Sequence, residues 1–183
     1  MRRRVAALLC VATLLGAATP AACAEQSGAA ARATRLDLIG SWRLVSIDIE
    51  DARGTHADPF YGSGTTGLLI YDAAGWVSVQ IAGTARPRVD APALRPGATE
   101  RAVVARAKAK LLDSYYAYFG TWEYDSLSAT VTHRVETSLY TGEEGASYAQ
   151  QVQILGRRMV FTRTRESAAG KSVQRKIWEK IDP

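Results

Sequence analysis

Cysteine, histidine and methionine are scarce: the 183-residue chain has two of each. Both cysteines, Cys10 and Cys23, precede Glu25, in a segment read below as a cleaved signal. Without it no disulfide, thiol nucleophile or thiolate metal site is open to the protein. His56 and His133 are distant in sequence and have no clustered carboxylates beside them, so the pattern of a metal site is missing as well. The longest apolar run, Val5 to Ala18, has about 14 residues where a membrane span needs roughly 20. There is no dense basic stripe of the kind that marks nucleic-acid binding, and no internal repeat. The expectation is a protein with no cofactor, no metal, no nucleic-acid partner and no integral membrane span in its mature form.

What is present at the amino terminus has the three parts of an export signal. Arg2, Arg3 and Arg4 open it, the apolar run follows, and Ala22-Cys23-Ala24 supplies the small residues at which a signal peptidase cuts. The sequence therefore predicts a signal peptide over 1–24 and a periplasmic or secreted product beginning at Glu25. The whole chain carries +5 from 23 basic and 18 acidic residues; three of the basic ones and none of the acidic ones lie in the signal, so the remainder carries +2. Its apparent basicity is largely a targeting feature. Residues 25–35, rich in alanine with serine, glycine and charge, read as a flexible linker, and a single domain is expected over 36–183.

Alternation then predicts a run of strands. The first, from Ile39 to Glu50, has Trp42 and Leu44 on one parity and Val45, Ile47 and Ile49 on the other, which calls for a bulge or bend. Asp51 to Thr66, with Gly54, Pro59, Gly62 and Gly64, reads as a loop. Gly67–Tyr71 and Trp76–Ile81 are the second and third strands across a tight turn at Asp72-Ala73-Ala74-Gly75. Gly83 to Gly97 contains Pro87, Pro92 and Pro96 and is irregular. From Thr99, a candidate cap, Val103, Val104, Ala107 and Leu111 recur at helical spacing, predicting one amphipathic helix between the third and fourth strands. Its apolar stripe suits a cap or lid on one barrel end. Strands over Ser147–Leu155, Met159–Arg165 and Val173–Ile181 complete a set of eight. Short turns join most neighbours, so the economical fold is an all-β, eight-stranded antiparallel up-and-down barrel, which leaves no exposed edge and has room for one small ligand.

The fourth and fifth strands form the most distinctive stretch, Tyr115 to Tyr140. Pairing Asp125 with Thr130 across the turn puts Tyr124 opposite Val131, Trp122 opposite His133, Gly120 opposite Val135 and Tyr118 opposite Thr137. Because side chains alternate along a strand, Tyr116, Tyr118, Trp122, Tyr124, Val131, His133, Val135 and Leu139 then share one face. Thr121, Glu123, Thr132, Arg134, Glu136 and Ser138 share the other. An aromatic inward face with one histidine suits a small-molecule pocket, which is mostly apolar with a few polar groups fixing orientation. Expected ligand contacts are Tyr116, Tyr118, Trp122, Tyr124, His133 and Val135, with Tyr71 and Gln80 from neighbouring strands.

The residues also resemble a known family. Gly40-Ser41-Trp42 at the start of the first strand looks like the Gly-x-Trp signature of lipocalins. The wider pattern resembles the bacterial and fungal lipocalin-like domain family: Gly40 to Ser46, Gly67 to Tyr71 with Gly75, Ser78 to Ile81, Ala117 to Gly120, Thr130 to Glu136 with Ser138-Leu139, and Ile177-Trp178-Glu179. This resemblance implies a calycin-type barrel with a central cavity. It also implies that a basic residue of the last strand, Lys180 or Lys176, packs on Trp42 to close the barrel base with Gly40. Two positions depart from the pattern: Gln150 stands where the family often has Arg on its sixth strand, and Lys180 where the last strand often ends Trp-x-Arg.

The expected function is binding of a small apolar or aromatic molecule without turnover. Two other readings stay open on the sequence. One is a cofactor-independent isomerase or hydrolase with His133 as general base; the other is a structural envelope protein with a filled core.

Overall fold

The computed structural model describes residues 33–89, 101–168 and 170–182. The expected signal, most of the linker, Pro92, Pro96 and the candidate cap Thr99 lie outside them. The described residues form a short helix α1 (Arg35–Leu38), nine strands and one longer helix. The strands are β1 (Gly40–Asp51), β2 (Gly54–Ala57), β3 (Thr66–Tyr71), β4 (Trp76–Ala82), β5 (Tyr115–Asp125), β6 (Thr130–Ser138), β7 (Ser147–Leu155), β8 (Arg158–Ser167) and β9 (Gly170–Lys180). Helix α2 (Arg101–Asp113) lies between β4 and β5, and a 3-10 turn, Thr141–Glu143, between β6 and β7.

Strands β1 and β3 to β9 pair antiparallel in that order, and β9 returns to pair with β1. This is the expected closed eight-stranded barrel. The ninth strand, β2, falls in the stretch read as loop: after a two-residue turn it folds back on the far end of β1, Asp51 opposite Gly54 and Asp48 opposite Ala57. With β2 counted, the helix follows the fourth strand rather than the third. Thr55-His56-Ala57 has no buried apolar residue, so alternation gives no sign of it.

The inward set follows the period of two. Trp42, Leu44 and Ile47 of β1, Val77, Val79 and Ile81 of β4, Val131 and Val135 of β6, and Met159 and Phe161 of β8 are all buried. Each such side chain contributes about 1.5–3 kcal/mol when fully buried. The parity break foreseen in β1 is a bulge between Leu44 and Ser46. It turns Val45 outward and keeps Leu44 and Ile47 both inside.

A second bulge, between Phe119 and Gly120, corrects the hairpin. The expected pairs hold from Asp125–Thr130 to Gly120–Val135, but Glu136 is then left over and Tyr118 faces Ser138 instead of Thr137. Parity beyond the bulge reverses, so Ser138 is buried and Leu139 is 38% exposed. The strands come so close here that a Cβ at Gly120 would overlap the Arg134 carbonyl oxygen.

The two barrel ends differ. At the base α1 closes the floor: Leu38 is fully buried, and the Trp42 indole N–H donates to the Leu38 carbonyl at 2.8 Å. Lys180 Nζ lies 4.8 Å from the centre of the Trp42 ring and donates to the Asp37 carbonyl at 3.0 Å. Gly40, at φ +129°, leaves room for that lysine, since a Cβ there would sit 3.2 Å from Lys180 Cε. The Arg35 guanidinium lies 4.5 Å over Trp122. The other end, framed by the β2–β3 loop, the end of α2 and the 3-10 turn, is the mouth. Helix α2 rests beside β5 with Val103 74% exposed, so its apolar stripe is only partly covered.

Candidate functional site

The barrel holds a cavity of about 860 Å³ that reaches the mouth, within the usual size of small-molecule sites. Leu69, Val79, Phe161 and Trp178 give its deep wall an apolar surface, and Tyr61, Tyr116, Tyr140 and Tyr148 ring its upper part. Asp58, Glu143, Arg163 and Gln174 are also in the lining. It is therefore mixed in polarity.

His133 stands in the wall between two phenols. Tyr71 Oη is 2.5 Å from Nε2 and Tyr118 Oη is 2.6 Å from Nδ1. Burial, aided by the positive charge of Lys176, pushes the imidazole down to about 3, so it is neutral at physiological pH. A neutral imidazole has one N–H and one bare nitrogen. Neither tyrosine hydroxyl has another hydrogen-bond partner among the described residues. Tyr71 is 1% exposed, so its proton would be stranded unless it went to His133, at the cost of an unmade buried hydrogen bond, about 1–3 kcal/mol. The order that avoids this has Tyr71 O–H donating to Nε2, Nδ1–H donating to Tyr118 Oη, and the Tyr118 proton left for the cavity. Burial raises both phenols well above the ordinary tyrosine range, so both stay protonated.

The acids of the upper cavity already have neutral donors. Glu143 accepts from Tyr116 Oη and Ser138 Oγ, each at 2.9 Å. Asp58 accepts from Gln174 Nε2 at 2.6 Å and from the Phe60 amide at 2.9 Å. Lys176, on β9, is different. It lines the cavity and has no hydrogen-bond or ion-pair partner among the described residues. Burial first, then Arg163, lowers its ammonium to about 8, against the opposing pull of Asp58. The buried indole N–H of Trp178, two residues on, is also without an acceptor there.

Of the expected contacts, Tyr116, Tyr118 and His133 line the cavity. Tyr71 and Val135 face inward and are buried but do not line it, and Tyr71 packs on Trp122 at 4.5 Å between ring centres. Trp122 and Tyr124 belong to the base: the Trp122 indole donates to the Asp72 carbonyl at 3.2 Å, and the Tyr124 hydroxyl to the Ala33 carbonyl at 3.2 Å. They share the parity of Tyr118 but not its height, because β5 runs the length of the barrel. Gln80 is on the outer face and accepts from Tyr115 Oη at 2.9 Å; Val77, Val79 and Ile81 take the inward positions of β4. Lys176, one of the two candidates for the Trp42 contact, lies in the cavity instead.

Residues not singled out in the sequence include Phe161, Arg163, Tyr148 and Glu143. The period-two pattern of β8 and β9 carries the signal for the first two. Met159, Phe161 and Arg163 share a parity, as do Trp178, Lys176 and Gln174, and the two sets meet as Met159–Trp178, Phe161–Lys176 and Arg163–Gln174 pairs.

Among the described residues no helix is long and apolar enough to cross a membrane. A comparison with protein families matches a lipocalin-like domain over residues 39–181. Searches of curated proteins and of solved structures gave no match. The matched span takes in the closed barrel from the start of β1 to the end of β9, and the chain belongs to the lipocalin-like domain family.

Proposed function

We propose that this is an exported protein that holds one small molecule, with apolar or aromatic character, in its barrel. The observation that carries the reading is the cavity of about 860 Å³, with Phe161 and Trp178 in its wall and tyrosines about its mouth. A filled structural barrel would have no such space. The aromatic lining supplies dispersion and stacking contact, and the few polar groups fix orientation. Two features weigh against His133 as a general base. Both ring nitrogens are engaged by tyrosine hydroxyls, and burial holds the imidazole at about 3, far below a useful pKa at neutral pH.

Titration against a panel of lipids, quinones and aromatic acids, followed by intrinsic tryptophan fluorescence, to which Trp178 contributes from the cavity wall, tests the binding reading. A saturable change with one equivalent is expected, and a flat response across the panel overturns it. Amino-terminal sequencing of the protein from the periplasm or medium tests export: Glu25 as first residue supports it, and an uncut chain retained in the cytoplasm refutes it.

A further inference from the structure

The unspent polar side chains deep in the cavity narrow the ligand's chemistry, given that the barrel binds a small molecule at all. Lys176 faces Ile47 across one strand pair and Phe161 across the other, both buried, and lies one inward position above Trp178. It is therefore well inside the barrel, yet has no partner among the described residues. Lys176, His133 and Tyr118 all line the one cavity, so the ammonium and the Tyr118 hydroxyl face the same space. That hydroxyl accepts from His133 and has its own proton to give. Both unspent groups are thus donors. Asp58 and Glu143, the acids nearest in influence, are held by Gln174 and by Tyr116 and Ser138, and Asp113 is at the end of α2, at the mouth. Arg163 and Arg165 add positive charge above Lys176 on β8.

A pair of donors with no acceptor in hydrogen-bond contact among the described residues, the nearby acids being already bonded to neutral donors, is matched by an acceptor-only, negatively charged group. An ammonium left alone in a cavity is costly unless such a group or water meets it. We propose that the ligand is an amphipathic carboxylate bound head-first, its carboxylate accepting from Lys176 Nζ and the Tyr118 hydroxyl, and its hydrocarbon or aromatic body extending toward the tyrosine-ringed mouth. The carboxylate's second oxygen leaves room for water or Arg163. An alcohol of the same body would bring a proton where the cavity already has two, and a cationic amphiphile would meet Lys176 as a like charge.

The test is calorimetric titration of the full mature chain with matched probes, dodecanoate against dodecanol and naphthalenecarboxylate against naphthalenemethanol, at pH 7. The wild type is expected to prefer one or both carboxylates by about tenfold or more, the effect of one charge-assisted hydrogen bond. Lys176→Met should remove that preference by lowering carboxylate affinity far more than alcohol affinity, and Lys176→Arg should keep most of it. Lys176→Gln serves in place of the Met variant if that does not melt as a folded protein. Equal affinity for carboxylate and alcohol in the wild type, or a preference that persists in both neutral variants, overturns the proposal but leaves the cavity as a binding site. Binding of none of the four probes counts against both readings.

Discussion

Tyr71 and His133 meet at 2.5 Å, Oη to Nε2, in the buried wall of the barrel, and Tyr71 has no second partner among the described residues. That contact sets the direction of a three-member proton chain ending at the cavity. The expected consequence is a His133 ring protonated on Nδ1 and bare on Nε2. Nitrogen NMR of the labelled imidazole reads this directly: a pyrrole-type Nδ1 and a pyridine-type Nε2 are predicted, and the reverse assignment would reverse the chain. Tyr71→Phe, which removes the donor and leaves Nε2 unsatisfied, should destabilise by about 1–3 kcal/mol.

The same burial makes stability depend on pH with a definite sign. Unfolded, His133 titrates near 6.5; folded, at about 3. Between those values the unfolded chain binds one more proton, so stability falls as pH drops from about 6.5 and stops falling below about 3. The slope for one proton is about 1.4 kcal/mol per pH unit. His56 is raised by its bonds to the Ala57 carbonyl and Asp51, and acts above 6.5 instead, leaving pH 6.5 to about 4.5 as the clean window. Urea midpoints across that window should show the slope in the wild type and lose it in His133→Phe, whatever that variant's absolute stability.

Lys176, like His133, is a cationic acid lowered by burial, and its effect has the same sign. Its ammonium is lowered from 10.5 to about 8, so the unfolded chain holds the extra proton between those values and stability rises with pH there. Lys176→Met should flatten that rise and make the empty protein more stable at pH 7, since it removes a half-buried charge that has no hydrogen-bond or ion-pair partner among the described residues. For a bound carboxylate the affinity should be level below pH 8 and decline above it. Calorimetry at pH 7 and pH 9 checks the decline; an unchanged affinity would show that the ammonium is not part of the contact.

Gly120 is where β5 and β6 approach most closely. A methyl there would overlap the Arg134 carbonyl oxygen, so Gly120→Ala must push the strands apart at the bulge. A loss of about 1–3 kcal/mol or more is expected from overpacking, read as a lower denaturation midpoint. A neutral result would mean the bulge has slack.

The two ends of the barrel should separate in mutagenesis. Lys180→Met removes the cation over Trp42 and the bond to Asp37, at a cost of about 0.5–2 kcal/mol, and should leave ligand affinity unchanged. Tyr118→Phe should weaken carboxylate binding with a smaller effect on the alcohol, and it also costs stability by leaving the buried His133 Nδ1–H without its acceptor. A change in carboxylate affinity from Lys180→Met would show that base and cavity are coupled.

Much of this fold was legible because a barrel strand has only two faces. Alternation located the eight barrel strands, and the broken parity of Trp42, Leu44 and Ile47 announced the β1 bulge. What it does not encode is height along the barrel. Parity grouped Trp122 with Tyr118, although one packs under Arg35 at the base and the other faces the cavity. It was also blind to the Glu136 bulge, which depends on backbone approach at Gly120 rather than on any hydrophobic pattern. The least legible feature was the most chemical. Lys176 and Arg163 share faces with Trp178 and Phe161, but a polar side chain in an alternating strand reads as outward. Only the closure of β9 onto β1 makes the even positions of β9 face a cavity.

The central claim is that the barrel holds a small molecule, and native mass spectrometry of the mature protein purified gently from its own host tests it most directly. The account predicts a population heavier than the bare chain by one discrete small molecule, released on unfolding and detected as an anion. Only the bare chain mass, in protein that also takes up none of the offered carboxylates or alcohols, would contradict it.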